Sequence, residues 1–127
     1  MKIAVEEINT ATLLNYVQKQ PTTDVPIWEK VVLDQQTIIP MLTNGSYAKH
    51  RKSYGLFIEN SMCGYAVVYG PEQTLDLMHV AQGVRGNGLS KHLLNELNVT
   101  NCVVDENNLV AINLYTKLGY DIELIKD

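Results

Sequence analysis

The chain has 127 residues and a mass of 14.3 kDa, and 46% of its residues are hydrophobic, which predicts one domain over residues 1–127 with a core of its own. Its formal net charge of −4 argues against a nucleic-acid partner, and no apolar run approaches the roughly 18 residues of a membrane-spanning helix. The N-terminus carries acidic residues where a signal peptide would be apolar, which predicts a cytoplasmic protein without a membrane partner. The two cysteines lie inside apolar runs, which predicts reduced thiols and no metal site.

The N-terminal segment predicts a strand and then a helix. Residues 2–6 alternate apolar and polar side chains, which is typical of a short strand. The helix begins near Asn9 or Thr10. Its inward face is predicted to carry three apolar residues, Leu13, Leu14 and Val17.

A second helix is predicted to begin after Asp24, which would cap it, with Pro26 in its first turn. Three aliphatic residues are expected on its inward face, namely Ile27, Val31 and Val32. Pro40 interrupts the next apolar run, so that no element is predicted before a turn at residues 44–45.

The middle of the chain predicts an antiparallel meander. Residues 55–59 and 62–69 are rich in aromatic and β-branched side chains and flank a two-residue turn, as in a hairpin. Residues 74–81 form the third strand. Strict alternation gives this strand one face with Leu75, Leu77 and His79 and another with Thr74, Asp76, Met78 and Val80.

The C-terminal part predicts two helices that alternate with strands. A helix over residues 88–98 is followed by a strand at residues 102–105. The next helix has Asn107 or Asn108 as its cap and Gly119 after its end. Its apolar stripe is Val110, Leu114 and Leu118. A last strand over residues 120–124 completes an α/β (α+β) fold, with a mixed, mostly antiparallel sheet of about six strands and helices on both faces.

The run from residue 82 to residue 90 has glycines at positions 86 and 88 and lies between a predicted strand and a predicted helix. Glycine lets the main chain approach an anion closely and adopt a positive φ at little cost. The first N–H groups of the following helix have no partner inside it, and together with the helix dipole they hold phosphate. The loop therefore predicts a site for a nucleotide-type cofactor.

Two separated motifs resemble the signatures of the GCN5-related N-acetyltransferases (GNAT). Residues 85–90, Arg-Gly-Asn-Gly-Leu-Ser, resemble the Gln/Arg-x-x-Gly-x-Gly/Ala signature, although Ser90 replaces the final Gly or Ala. Residues 78–80 stand where that family has its Leu-x-Val strand end. Residues 108–120 are similar to the second signature, Asn-x-x-Ala-x-x-Leu-Tyr-x-x-x-Gly-Phe/Tyr.

The resemblance implies that acetyl-coenzyme A binds in a splayed cleft between the strands at residues 74–81 and 102–105. Its pyrophosphate would lie on the N–H groups of residues 85–90, and the main chain of the strand end would pair with the pantetheine arm and polarise the thioester carbonyl. The implied cofactor-binding residues are Met78, His79, Val80, Arg85, Gly86, Asn87, Gly88, Leu89, Ser90, Asn108 and Tyr115.

Acetyl transfer to an amine needs a base for the ammonium proton and a proton donor for the departing thiolate. The resemblance makes Tyr115 the general acid, with core packing as its alternative role; helix capping is the alternative role of Asn108. Asp76 is the candidate base, or else an ion-paired strand residue. His79 competes with Asp76 and projects from the opposite face unless a bulge rotates the strand. Weaker candidate bases are Glu72, Thr74 and Asp105.

A basic segment, residues 49–52, lies between Tyr47 and Tyr54. Such a charged loop is more typical of a solvated surface than of a nucleic-acid site. Its alternatives are to line the acceptor groove or to touch the cofactor's ribose phosphate. The resemblance places Trp28 and Tyr47 in the region that shapes the acceptor site, although core packing is the favoured role of Trp28.

Together these features predict an N-acetyltransferase that transfers an acetyl group from acetyl-CoA to a primary amine of a small molecule or protein, by direct attack in a ternary complex. The alternative is a catalytically inactive GNAT-fold module that binds acyl-CoA or a protein partner. The chain ends one strand earlier than the family's usual pattern, which leaves the edge at residues 120–124 uncovered. We expect either a homodimer through this edge or an open acceptor groove.

Overall fold

The computed structural model describes residues 2–126 and contains a six-stranded mixed sheet with the strands in chain order. The strands are β1 (Ile3–Ile8), β2 (Arg51–Ile58), β3 (Ser61–Tyr69), β4 (Thr74–Val80), β5 (Asn101–Asp105) and β6 (Asp121–Ile125). The helices are α1 (Thr10–Gln18), α2 (Ile27–Val32), α3 (Gln35–Thr43), α4 (Gly45–Ala48), α5 (Leu89–Leu97) and α6 (Leu109–Lys117). Strands β1 to β4 are antiparallel neighbours, whereas β5 and β6 run parallel to β4. This arrangement confirms the predicted fold class.

Two apolar clusters lie on opposite faces of the sheet. Successive residues of β3 alternate between them, with Ala66 and Val68 in the first cluster and Tyr65 and Val67 in the second. The first cluster includes buried residues of α5 and α6, and the second includes those of α1 and α3. Helices therefore cover both faces, as predicted. Within residues 2–126, none of the helices has the length and apolar character needed to cross a membrane.

The predicted hairpin forms between β2 and β3, with its turn one residue earlier than the predicted turn at residues 60–61. Glu59 and Asn60 form its turn with φ values of 49° and 69°, the positive values of the turn type that fits the twist of paired antiparallel strands. β2 begins at Arg51, so the last two residues of the basic segment lie in the sheet, and the prediction of a loop is wrong there.

α2 presents a different face to the core from the one predicted. Pro26 is its N-cap, and Asp24 lies outside the helix with a φ of 61°. Ile27 and Val31 are 78% and 42% exposed, so their predicted inward orientation is wrong. Glu29, with 1% exposure, takes the inward position instead.

α3 was not predicted from the sequence. Asp34 caps it by accepting a hydrogen bond from the Gln36 N–H at 3.1 Å. Pro40 lies inside the helix and removes one main-chain donor. Ile38 is fully buried in the second cluster, and Val32 of α2 packs against the same cluster. Tertiary packing of this kind offsets the cost of the proline.

The two C-terminal helices form where the sequence predicts them. Asn108 caps α6, and Gly119 follows its end with a φ of 76°. The predicted stripe of α6 is wrong at Val110, which is 75% exposed. Tyr115, which follows the stripe residue Leu114 in the sequence, is the buried residue of this helix.

Candidate active site

A cleft opens between β4 and β5 because these parallel strands are paired over only two residues. Thr74 lies opposite Asn101, and Leu75 lies opposite Cys102. No ladder pairing continues from there to the ends of the two strands. The sheet therefore has the splayed pair of strands that the sequence motifs led us to expect.

The main chain at the end of β4 offers hydrogen-bonding groups to this cleft. His79 pairs with Tyr65 of β3, and the Ala81 N–H also donates to β3. Because alternate residues of an antiparallel strand direct their N–H and C=O groups to the partner strand, those of Met78 and Val80 point to the cleft. The main-chain role implied by the resemblance thus fits Met78 and Val80, whereas the main-chain groups of His79 face β3.

A β-bulge in β4 changes where Asp76 and its neighbours point. Val67 lies opposite Leu77 and Val68 lies opposite Leu75, so Asp76 has no partner of its own in β3. Leu75 consequently packs in the first cluster and Leu77 in the second. The single face predicted for these two leucines is wrong, since one extra residue reverses the alternation.

The loop after β4 has the form of an anion cradle. Gly86 and Gly88 have φ values of 88° and 71°, and a Cβ atom added at either position would meet no atom within 4 Å. Gly88 is the N-cap of α5, and no side chain caps that end, which leaves the first N–H groups at residues 89–90 directed out of the helix. Asn87 donates to the Val84 carbonyl at 3.2 Å and braces the loop. These residues fit a pyrophosphate.

Arg85 differs from the rest of the loop because its guanidinium turns to a buried carboxylate. Its Nη2 bonds to Oε1 of Glu29, and its Nε donates to the Val80 carbonyl at 2.8 Å. Its main-chain N–H donates to the Gln82 carbonyl at 3.4 Å, and the Gln82 amide donates to Glu29 at 3.3 Å. Arg85 therefore ties α2 to the end of β4, whereas the sequence placed it among the phosphate contacts.

The His79 ring belongs to the same buried network. Its Nδ1 lies 3.0 Å from the Tyr16 hydroxyl, and its Nε2 lies 3.3 Å from Nη2 of Arg85 and 3.8 Å from Oε1 of Glu29. Burial, and then the Arg85 charge, lower the pKa of His79 to about 4. The ring is therefore neutral at pH 7, and its lowered pKa weakens it as a base.

Asn108 and Tyr115 of α6 form the opposite wall of the cleft. Oδ1 of Asn108 accepts from the Ala111 N–H at 3.1 Å, so the capping role is present and the amide nitrogen is left for a ligand. Tyr115 is 4% exposed and stacks on Tyr120, with ring centroids 6.2 Å apart. Burial, followed by the Cys102 thiol and Tyr120, raises the pKa of Tyr115 well above its ordinary value. Its hydroxyl stays protonated at neutral pH and can donate.

Two adjoining cavities fill the cleft. The larger, here named the chamber, has a volume of about 260 Å³, and the smaller, named the channel, about 160 Å³. Both are lined by Trp28, Met78, Asn108, Ala111 and Tyr115, and the channel extends to Arg85 and Ser90 at the ends of the glycine loop. Trp28 belongs to neither apolar cluster, and its favoured role in the core is wrong. The chamber is also lined by Val31, Val32, Leu75, Asp76, Leu77, Val103, Val104, Asp105 and Ile125. The channel is also lined by His79, Val80, Arg85, Ser90, Val110 and Leu114.

One carboxylate oxygen of Asp76 is held by the basic segment. Arg51 Nε donates to Oδ2 at 2.6 Å, and the guanidinium lies 4.0 Å from the centroid of the Tyr47 ring. Oδ1 makes no hydrogen bond with residues 2–126. Asp76 is therefore the ion-paired strand residue of the alternative prediction, with one oxygen left for a ligand in the chamber.

The rest of the basic segment lies away from the glycine loop. Arg51 pairs with Tyr69 beside the first residue of β4, whereas the loop follows the last residue of that strand. The segment therefore lies at the opposite end of β4 from the glycine loop, and its Arg51 reaches the cleft through Asp76.

The three weaker candidate bases differ in their position relative to the chamber. The Thr74 hydroxyl donates to Oδ1 of Asn101 at 2.6 Å, and Glu72 is exposed in the turn before β4. Asp105 lines the chamber, and its Oδ1 accepts from the Asn107 N–H at 2.8 Å. Of these three, only Asp105 faces the space where an amine would bind.

Glu29 is the member of the buried network with Arg85 and His79 that sequence reasoning missed. A signal for its burial was present, because Val25, Glu29 and Leu33 recur every four residues and all three are buried. Their spacing predicts one inward face, but a glutamate on that face gives no indication of its partner. Arg85 is 56 residues further along the chain.

The fold matches solved acetyltransferases at low sequence identity. An acetyltransferase from Thermus thermophilus is 18% identical with a TM-score of 0.68, over 94% of this chain and 86% of that one. The PaiA N-acetyltransferase of Thermoplasma acidophilum, in complex with coenzyme A, is 13% identical with a TM-score of 0.64, over 93% and 89%. A GNAT-family acetyltransferase from Streptococcus pneumoniae is 15% identical with a TM-score of 0.59, over 93% and 84%. Neither a protein-family model nor a curated protein sequence matches the chain. The chain has the GNAT fold, and the resemblance drawn from the two motifs is confirmed for that fold.

Proposed function

We propose that this chain, which has the GNAT fold, is an N-acetyltransferase that transfers an acetyl group from acetyl-CoA to a primary amine within a ternary complex. The observation that carries the proposal is the continuous cleft. It leads from Arg85 and Ser90, at the two ends of the glycine loop, past the main chain of Met78 and the Val80 N–H to the protonated Tyr115 hydroxyl. A neighbour with this fold is an N-acetyltransferase in complex with coenzyme A, which supports the same ligand here.

The glycine loop and the cleft walls would hold the cofactor. Gly86, Gly88 and the first turn of α5 suit the pyrophosphate, and the main chain of Met78 with the Val80 N–H suits the pantetheine amides, since Arg85 already occupies the Val80 carbonyl. Acetyl-CoA, when bound, supplies the thioester carbonyl that the amine attacks. A main-chain N–H aimed at the oxygen of such a carbonyl lowers the barrier by about 3 kcal/mol.

Two side chains would carry the proton transfers. Tyr115, which its raised pKa keeps protonated, donates its hydroxyl proton to the departing thiolate and regains a proton from the attacking nitrogen as the tetrahedral intermediate collapses. Asp76 presents Oδ1 to the chamber and accepts the ammonium proton of the amine, directly or through water. Arg51 fixes the other oxygen and balances the carboxylate charge in this largely buried position.

Thiol release from acetyl-CoA in the presence of an amine panel tests the proposal. We expect Tyr115→Phe to lower kcat by about 100-fold or more, in line with general acid catalysis, while the thermal shift produced by CoA is unchanged. Tyr54→Phe, a half-buried tyrosine of β2 outside both cavities, is the matched control. Equal turnover of wild type and Tyr115→Phe would remove Tyr115 as the acid.

A second measurement separates the enzyme from an inactive module. If acetyl-CoA stabilises the protein but no amine releases thiol, the fold serves binding alone. If acetyl-CoA causes no thermal shift at high concentration, both roles are excluded.

A further inference from the structure

We propose that the acceptor is a monoamine with an apolar alkyl or aryl body, and that Asp105 binds its ammonium group; this inference rests on the proposed acetyl transfer. Three independent features of the chamber support it, namely the apolar walls, the small number of free polar groups, and the position of Asp105 beside an indole ring.

Most of the chamber wall cannot form hydrogen bonds. Trp28, Val31 and Val32 of α2 form one side, and Ile125 of β6 lies at the edge. Two of these residues are outside the core and about half exposed, Val31 at 42% and Ile125 at 51%. Apolar side chains that the fold does not bury gain from covering an apolar ligand.

The polar groups that line the chamber are few. Asp76 offers one oxygen because Arg51 holds the other, Asn108 offers its amide nitrogen, and Tyr115 offers one hydroxyl. An amino sugar placed here would bury several hydroxyl groups without partners, each at a considerable cost. A polyamine would bring several charges to a site where one of the two carboxylates is already neutralised by Arg51.

Asp105 is the remaining carboxylate, and it is well placed for one ammonium group. It lies at the end of β5 and forms no salt bridge with any residue that the structure describes. With Trp28 it lines both the chamber and a side cavity of about 300 Å³, to which Pro26 and Ile27 also contribute. A carboxylate and an indole on the wall of one cavity both attract a cation, and the aliphatic neighbours accept its apolar substituent.

The first experiment is a series of primary amines in the acetyl-CoA assay. From propylamine to hexylamine we expect kcat/KM to rise about fourfold for each methylene, the equivalent of about 0.8 kcal/mol per buried CH₂. Trp28→Ala should flatten this slope, and Val31→Ser serves as a milder second variant should Trp28→Ala fold poorly. Ile39→Ala, an exposed apolar residue of α3 outside the chamber, is the control and should leave the slope unchanged. A flat wild-type slope, or faster turnover of spermidine or neamine than of hexylamine, would overturn the inference.

The second experiment isolates Asp105. Asp105→Asn keeps the side-chain oxygen that accepts from Asn107 and removes the charge. We expect about a tenfold rise in the KM for amines, with no change in the thermal shift caused by CoA. Glu96→Gln, an exposed acid of α5 outside the described cavities, is the control. An unchanged KM in Asp105→Asn would refute its role.

Amine binding to the protein–CoA complex, measured by calorimetry, separates this inference from the proposed function. Tighter binding of hexylamine than of spermidine without turnover would support the acceptor class while refuting acetyl transfer. Equal binding of the two amines would refute the acceptor class, whatever the turnover.

Discussion

The buried pair of Glu29 and Arg85 gives an asymmetric prediction for protein stability. The Glu29 side chain is 1% exposed, whereas that of Arg85 is 40% exposed. Arg85→Gln leaves the Glu29 carboxylate in the interior without the guanidinium that pairs with it. Removal of one partner of a buried ion pair costs about 3–5 kcal/mol. Glu29→Gln instead leaves a guanidinium that water can reach, and its expected cost is only about 1 kcal/mol.

Urea unfolding followed by circular dichroism measures this difference. With a slope of about 1.5 kcal/mol per molar urea, Arg85→Gln should lower the midpoint by about 2–3 M and Glu29→Gln by less than about 1 M. Such a loss is a large part of the roughly 5–15 kcal/mol that holds a domain of this kind folded. The double variant should resemble Glu29→Gln, because it leaves no buried charge.

Arg85→Lys is the matched control, because it keeps a positive charge beside Glu29. It should recover more than half of the stability lost in Arg85→Gln, although a lysine cannot reproduce the forked hydrogen bonds. If Glu29→Gln is as destabilising as Arg85→Gln, or if Arg85→Lys recovers nothing, the unpaired carboxylate does not set the cost. The role given to this network would then be wrong.

Three further predictions concern pH, the glycine loop and the sheet edge. Because folding lowers the pKa of His79, the imidazole is protonated in the unfolded chain but neutral in the folded chain between about pH 6.5 and about pH 4. Unfolding free energy should therefore fall on acidification across this window, by up to about 1.4 kcal/mol per pH unit, and His79→Gln should lose that contribution; an unchanged pH profile in His79→Gln would contradict the assignment. Gly88→Ala places a Cβ on a residue with a φ of 71° and should lower the free energy of unfolding by about 1 kcal/mol, as measured in urea. The cost comes from backbone strain alone, because no neighbouring atom lies within 4 Å of the added Cβ. An unaltered urea midpoint would refute this strain. β6 is an edge strand, and sedimentation equilibrium should show a dimer that weakens in Leu124→Lys, whereas a wild-type monomer at every concentration would argue against pairing at this edge.

The local signals in the sequence predicted much of the site. The glycines at 86 and 88, the Asn108 cap and the hairpin turn each depend on residues within a few positions, so that a short stretch of sequence specifies the geometry. The splayed strands followed from the two motifs together. The predicted roles of Asp76 and Tyr115 in catalysis remain predictions, although both residues line the chamber.

Other features could not be derived, because they depend on contacts between distant parts of the chain. The bulge at Asp76 arises from the register with β3 and reverses an alternation that looked regular. Ile27 and Val31 are exposed because the opposite face of the short helix α2 packs on the sheet. Glu29 lies on that packed face, where Arg85 pairs with its carboxylate. α3 survives Pro40 because Ile38 is buried against the second cluster.

The sequence by itself therefore determined the order of the elements, the fold class and the loop suited to phosphate, since each follows from local conformational preference and hydrophobic periodicity. Only the tertiary structure decided which charged groups meet. In the fold, Arg85 pairs with Glu29 and Asp76 pairs with Arg51. Asp105 faces the chamber. The physical reason is that a buried charge is tolerated only beside a partner, and the partner's distance in sequence carries no information about its distance in the fold.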